Sequence, residues 1–292
     1  MNTTAEQMRA WTGPAILSYG FRPFFLGAGL WAGVAMLLWI AMLAGWLSLP
    51  TAFDPVSWHA HEFLFGYLGA VSAGFLLTAV PNWTGRLPIV GWPLGGLFAL
   101  WLLGRAAIGI SAVLSPLVVA LADLGFPVVL AAVLAREIVA GRNWRNLVVL
   151  AMFGILILGN ALFHWEAARG DYAAGGAGLR IGLSAGIVMI TVIGGRIVPS
   201  FTRNWLARQG RPERPAPGDA FDRLVVVCTV AVLLVWVIAP SGRGTALALI
   251  FVGILQFWRL GRWTGLRTLS EPLVWSLHVG YGFIPLGALV LG

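Results

Sequence analysis

The 292-residue sequence has no lysine, one cysteine and few charges of any kind. Charged residues make up 10% and hydrophobic residues 59%, whereas a soluble domain has about 25% and about 45–50%. That imbalance excludes an ordinary soluble enzyme and a disordered tail alike. The lone Cys228 lies in an apolar run, so neither a disulfide framework nor a thiolate metal cluster can be built. All 19 basic residues are arginines, and against 11 acids they give +8. They fall in short bursts between apolar runs, whereas a nucleic-acid binder gathers its charge on a solvated face. No alternating strand pattern occurs, no glycine-rich phosphate loop follows a strand, and no Ser-His-Asp set has a plausible aqueous pocket.

What is abundant is apolar sequence in lengths suited to a bilayer. A spanning helix takes about 20 mostly apolar residues. Runs of that kind lie near 24–46, 57–80, 92–110, 112–135, 146–165, 178–198, 221–239, 243–260 and 272–292. The expected fold is an all-α, polytopic transmembrane bundle of about nine spans, forming one integral membrane domain over 1–292. Within it, 1–206 carries spans one to six, 207–219 is a mobile Pro- and Gly-rich cytoplasmic loop, and 220–292 carries spans seven to nine.

The arginines orient the chain. A cytoplasmic N-terminus puts fourteen of them inside: Arg9, Arg22, Arg86, Arg136, Arg142, Arg145, Arg203, Arg208, Arg211, Arg214, Arg223, Arg259, Arg262 and Arg267. Only Arg169, Arg180 and Arg243 then lie outside, the bias the positive-inside rule requires. The N-terminal stretch lacks the short basic and apolar pattern of a cleaved signal. Thr78-Ala-Val-Pro81-Asn-Trp-Thr84 also aligns with Arg196-Ile-Val-Pro199-Ser-Phe-Thr202, four spans later. Either the fold contains parallel four-helix repeats, or both segments are membrane exits with a proline stop.

Ionisable groups inside spans are costly and mark function by default. All four histidines qualify. His59, His61 and Glu62 open the second span after Asp54-Pro55, a capping residue and a first-turn proline. In a regular helix His59 and Glu62 share a face with Gly66, Gly69 and Ala73, which is expected to look into the bundle. His61 then turns about 200° away from His59, along Phe65, Leu68 and Ser72, so the two imidazoles are not expected to share one metal. His164, between Phe163 and Trp165, reads either as an aromatic-belt residue or as a member of the same outer-leaflet group. His278 lies roughly 8–9 Å into the last span and can hydrogen-bond Tyr281 or serve a second site. In a core about 30 Å thick, His278 and His61 do not reach one haem from opposite faces. Arg105 and Arg196 lie within spans; Arg196, in Gly194-Gly-Arg196, can snorkel or pair with a buried acid or a cofactor carboxylate.

These residues belong to longer segments that resemble the NnrS family of bacterial membrane proteins linked to nitric oxide metabolism. The segments are Tyr19-Gly-Phe-Arg-Pro-Phe-Phe25, Trp58-His-Ala-His-Glu62 and Gly74-Phe-Leu-Leu-Thr-Ala-Val-Pro-Asn-Trp-Thr-Gly-Arg86, followed by Gly159-Asn-Ala-Leu-Phe-His164, Gly194-Gly-Arg-Ile-Val-Pro-Ser-Phe-Thr-Arg203 and Glu271-Pro-Leu-Val-Trp-Ser-Leu-His278. The resemblance implies a protein of the bacterial cytoplasmic membrane that contains haem and copper and acts in nitrosative stress, on nitric oxide or iron–nitrosyl species. It makes His59, His61 and His278 the inherited ligand candidates, with Glu62 and His164 beside them as metal candidates. Arg22, Asn82, Arg86 and Arg196 are expected to support structure or haem propionates. Family members usually continue through further helices with a late histidine, so a chain ending at Gly292 is expected to be a short form or a fragment. The competing functions are a proton-coupled or small-molecule transporter lined by His59, Glu62 and Arg196, and a non-catalytic assembly or sensor subunit. A homo-oligomer or a partner subunit is expected in addition to the lipid bilayer.

Overall fold

The computed structural model describes residues 11–85, 89–216 and 218–292. Among them are nine helices long and apolar enough to span a membrane: α1 Phe21–Leu43, α2 Pro55–Thr84, α3 Trp92–Gly109, α4 Pro116–Ala140, α5 Trp144–Ala168, α6 Ala177–Arg208, α7 Ala220–Ile238, α8 Arg243–Gly261 and α9 Pro272–Leu291. The described residues contain no strand. This is the all-α, multi-span bundle expected from the apolar runs.

The helix ends have local causes. Asp54 accepts from Val56 and Ser57 N–H at 3.0 Å, with Pro55 in the first turn of α2. Ser115 caps α4 ahead of Pro116. Glu166 reaches from α5 to the free N–H groups of Ala177 and Gly178 that start α6. A side-chain oxygen at each place satisfies donors that a helix start leaves unpaired.

One helix outruns its apolar run. α6 continues ten residues past the expected end at 198, so Arg203 and Arg208 ride on helix and not in the loop. Apolar length reports the bilayer, while the backbone ladder continues through the polar extension. In the loop after α6, Ala216 N–H donates to Arg262 O at 3.0 Å.

The chain forms two compact units, one up to Leu183 and one from Ser184 onward, dividing within α6. In the first unit, α5 and α6 meet backbone to backbone. A Cβ on Gly159 would come within 2.6 Å of the Gly182 nitrogen, so only glycine permits that approach. Gly29 and Gly33, the other small-residue pattern in the sequence, face open space. The proposed sequence repeat has a structural echo. Pro81 and Pro199 both lie inside helices, and Thr84 and Thr202 donate to the carbonyls of Val80 and Val198, each at 2.9 Å.

Candidate metal centre

The first unit buries six polar side chains from four helices in one cluster. α2 supplies His61 and Glu62, α3 supplies Arg105, α4 supplies Asp123, and α5 supplies Asn160 and His164. All are buried, His61 and Glu62 completely. His61 and Glu62 are sequence neighbours, yet both enter the cluster. Adjacent helical residues point only about 100° apart, so both side chains reach it; residues Glu62–Tyr67 then form a π-helical turn. Such a turn inserts extra backbone into the helix and shifts the phase of the residues beyond it. Gly66, in the same turn, leaves space that the Arg105 guanidinium fills, and its carbonyl accepts from Trp101 Nε1 at 3.0 Å.

The cluster is arranged around Asp123. Its Oδ1 receives Arg105 Nη2. Its Oδ2 accepts from Asn160 Nδ2 at 2.7 Å and His164 Nε2 at 3.1 Å, and lies 3.2 Å from His61 Nε2. His61 Nε2 is also 3.1 Å from Asn160 Oδ1, and its Nδ1 is 3.1 Å from Glu62 Oε1. Both ring nitrogens of His61 therefore face oxygen, so both donate and the ring carries a positive charge. Arg105, also 2.6 Å from Glu62 Oε1, supplies the second cation against the carboxylates of Glu62 and Asp123. The buried charges balance, which a site inside a membrane requires. Glu62 Oε2 remains buried with no partner.

His61, Asp123 and His164 present ligand atoms that all lie within 4.8 Å of one another. Imidazole nitrogens and a carboxylate oxygen bind first-row ions at about 2.0–2.2 Å, which in a tetrahedral arrangement separates ligand atoms by about 3.4 Å. The observed nitrogen–oxygen separations of 3.1 and 3.2 Å are close to that value. These are hydrogen-bond separations as well, so the group can hold an ion once the N–H protons facing Asp123 are gone. A porphyrin does not fit: the His61 and His164 ring centroids are 5.1 Å apart and packed among Phe53, Phe65 and Phe163, with no planar slot.

The other sequence candidates lie elsewhere. His59 is only half-buried and stacks on Trp39 of α1 at 3.7 Å. The expected pairing of His59 with Glu62 on an inward face is thus corrected: His61 and Glu62 face inward, while His59 packs on Trp39. His164 is a buried cluster member and not a membrane-belt residue. Arg22 ties down the start of α1 through Ala15 O and Ser18 Oγ, at 2.8 and 2.9 Å. Asn82 is exposed at the end of α2. Arg86 lies outside the described residues. Sequence reasoning singled out neither Asp123 nor Asn160, although Asp123 is visible as one acid in the apolar run Leu121-Ala-Asp-Leu-Gly125.

The second unit buries a different polar set. Arg259 Nε donates to Asp222 at 2.8 Å, and its Nη1 donates to Thr191 O and Tyr281 Oη at 3.0 and 2.9 Å. Tyr281 then donates to Gln256 Oε1 at 2.6 Å, and Gln256 Nε2 to Thr229 at 2.8 Å. Gly195 makes room for the Arg259 guanidinium, while Arg196 itself is exposed. The buried partner sought for Arg196 therefore belongs to Arg259. His278 bonds to Thr202 at 2.8 Å and not to Tyr281. At the end of α8, Arg262 grips Asp219 at 2.5 and 3.1 Å and holds its carboxyl well below the usual carboxylate range.

The fold and these sites define a multi-span helical membrane protein with a buried histidine–carboxylate cluster. The family model described as NnrS protein matches residues 15–292. The chain belongs to the NnrS family, which is linked to the nitric oxide response. No curated protein and no solved structure matches it.

Proposed function

We propose that this chain is a membrane metalloprotein of the nitrosative-stress response, with a redox-active ion, copper by family implication, held by His61, Asp123 and His164. The convergence of two imidazole nitrogens on one buried carboxylate oxygen carries the reading. A copper ion at that position would supply a centre able to bind and exchange electrons with nitric oxide or an iron–nitrosyl species. The protein's own groups do the rest. Arg105 fixes Asp123 through Oδ1 and leaves Oδ2 facing the histidines. Asn160 orients both His61 and Asp123, as outer partners of metal ligands do. Coordination through His61 and His164 displaces their N–H protons, so ion uptake releases protons. The aromatic side chains of Phe53, Phe65 and Phe163 keep the cluster dry. The haem implied by the family has no seat at this cluster.

The deciding experiment is metal analysis and paramagnetic resonance on protein purified from membranes and reconstituted with copper. One copper per chain with hyperfine coupling to two nitrogens is expected, lost in His164→Ala and Asp123→Asn and kept in His59→Ala. Absence of bound metal after reconstitution, or full binding by His164→Ala, would sink the reading. The same reading puts the protein in the bacterial cytoplasmic membrane with its N-terminus inside, which reporter fusions at loops 44–54 and 207–219 check.

A further inference from the structure

The second unit holds a histidine with an unused nitrogen. Thr202 spends its hydroxyl proton on Val198 O at 2.9 Å, so it accepts from His278 Nε2 at 2.8 Å. His278 Nε2 therefore carries the ring proton, and Nδ1 of the neutral ring has a lone pair to offer. That nitrogen is buried without a partner. It borders a pocket of about 570 Å³ with largely apolar walls, including Phe257, Trp275 and Phe283.

Two further features converge there. Thr264, also on the pocket wall, is a β-branched residue at φ +56°, and its hydroxyl is buried and unpartnered. Left-handed backbone at such a residue is strained and persists where surrounding structure enforces it. Gly265 follows, and a Cβ there would come within 2.5 Å of His278 Nδ1. The glycine lets backbone pack close beside the free lone pair, where any larger side chain would crowd it.

We propose that this pocket binds a lipid-soluble aromatic alcohol of the hydroquinone class, with a ring hydroxyl donating to His278 Nδ1 and Thr264 meeting a second ring oxygen. The lone pair at Nδ1 requires a donor, which an acyl chain lacks. The aromatic side chains suit a flat ring, and the exposed apolar rim at Leu266, Leu269 and Leu286 suits an entrant from lipid. A porphyrin iron bound through Nδ1 would be pressed against α9, because that nitrogen adjoins the ring carbon carrying Cβ. The site is independent of the proposed metal centre.

The test is anaerobic titration of the purified protein in nanodiscs with a short-tailed benzohydroquinone and, in parallel, with its dimethyl ether. Protein-free discs give the partition background. The expected result is saturable quenching of tryptophan fluorescence by the hydroquinone, with affinity about tenfold above the ether, the worth of one hydrogen bond. His278→Phe should bring the two ligands to equal affinity, and Gly265→Ala should weaken the hydroquinone about tenfold, both with unchanged circular dichroism. Equal affinities in the unaltered protein overturn the proposal, as does a Soret band that His278→Phe removes. Should the variants fail to fold, the ligand pair on the unaltered protein still decides.

Discussion

Among the described residues each unit buries one arginine, and the two are satisfied in opposite ways. Arg259 in the second unit is met by one carboxylate, a backbone carbonyl, the Tyr281 hydroxyl and the face of Trp263. Arg105 in the first is met by two carboxylates, which draw in two histidines and an asparagine. The second arrangement shows that mostly neutral partners can hold a buried guanidinium. The surplus of acid and imidazole around Arg105 therefore needs another reason, since buried ion clusters are weak evidence for stability. The proposed metal site supplies such a reason. The second unit spreads its polar atoms along a line of hydrogen bonds, while the first gathers three ligand atoms at one point.

The largest effect should come from breaking the first unit's centre. Asp123→Leu leaves Arg105 and His61 with Glu62 as the one carboxylate they share, and removing one partner of a buried pair costs about 3–5 kcal/mol. Reversible unfolding in detergent should show that loss together with loss of bound metal. If stability drops while copper is retained, the cluster is structural and the contrast between the units collapses.

Arg259→Met comes next. It removes three hydrogen bonds from a charged group and orphans the buried Tyr281 and the half-buried Asp222, and about 2–3 kcal/mol is expected. Metal content should stay unchanged. A loss of copper in this variant would join the two sites functionally and break the distinction between them. Gln256→Leu should cost less, about 1–2 kcal/mol, since it takes the acceptor from the Tyr281 hydroxyl proton while Thr229 keeps its bond to Val225 O. Thermal unfolding of both variants side by side ranks them.

Fold and site differ in how much of each is legible in the sequence. The nine spans are legible because bilayer thickness imposes a length on every apolar run, and the helix boundaries differ chiefly where α6 continues beyond the apolar stretch. His61, Glu62 and His164 are legible as charges placed where charge is expensive. Their arrangement is not. Helical spacing tells which residues share a face but not which face looks inward, and the π-turn at Glu62–Tyr67 then shifts Gly69 and Ala73, on which the choice of face rests. Asp123 is open to the same reasoning as the histidines, but its role depends on helices that pack together from distant parts of the chain. The partner of His278 is likewise 76 residues away, beyond the reach of local spacing.

The smallest expected effect lies at the exposed edge of the second unit, where Arg262 holds Asp219 beside Asp222 at the start of α7. The folded state lowers the Asp219 pKa below its unfolded value of about 3.9. The unfolded chain therefore binds the proton first, so the pair's contribution is complete above about pH 4 and is lost as the pH falls through the folded value. Solvent and salt screen so open a pair, so Asp219→Asn should lower the melting temperature slightly at neutral pH and converge with the unaltered protein in acid. High salt should shrink the neutral-pH difference. No gap at neutral pH would mean that Asp219 acts as a helix cap alone, because an asparagine side chain can still accept from the Asp222 N–H while losing the charge that Arg262 needs.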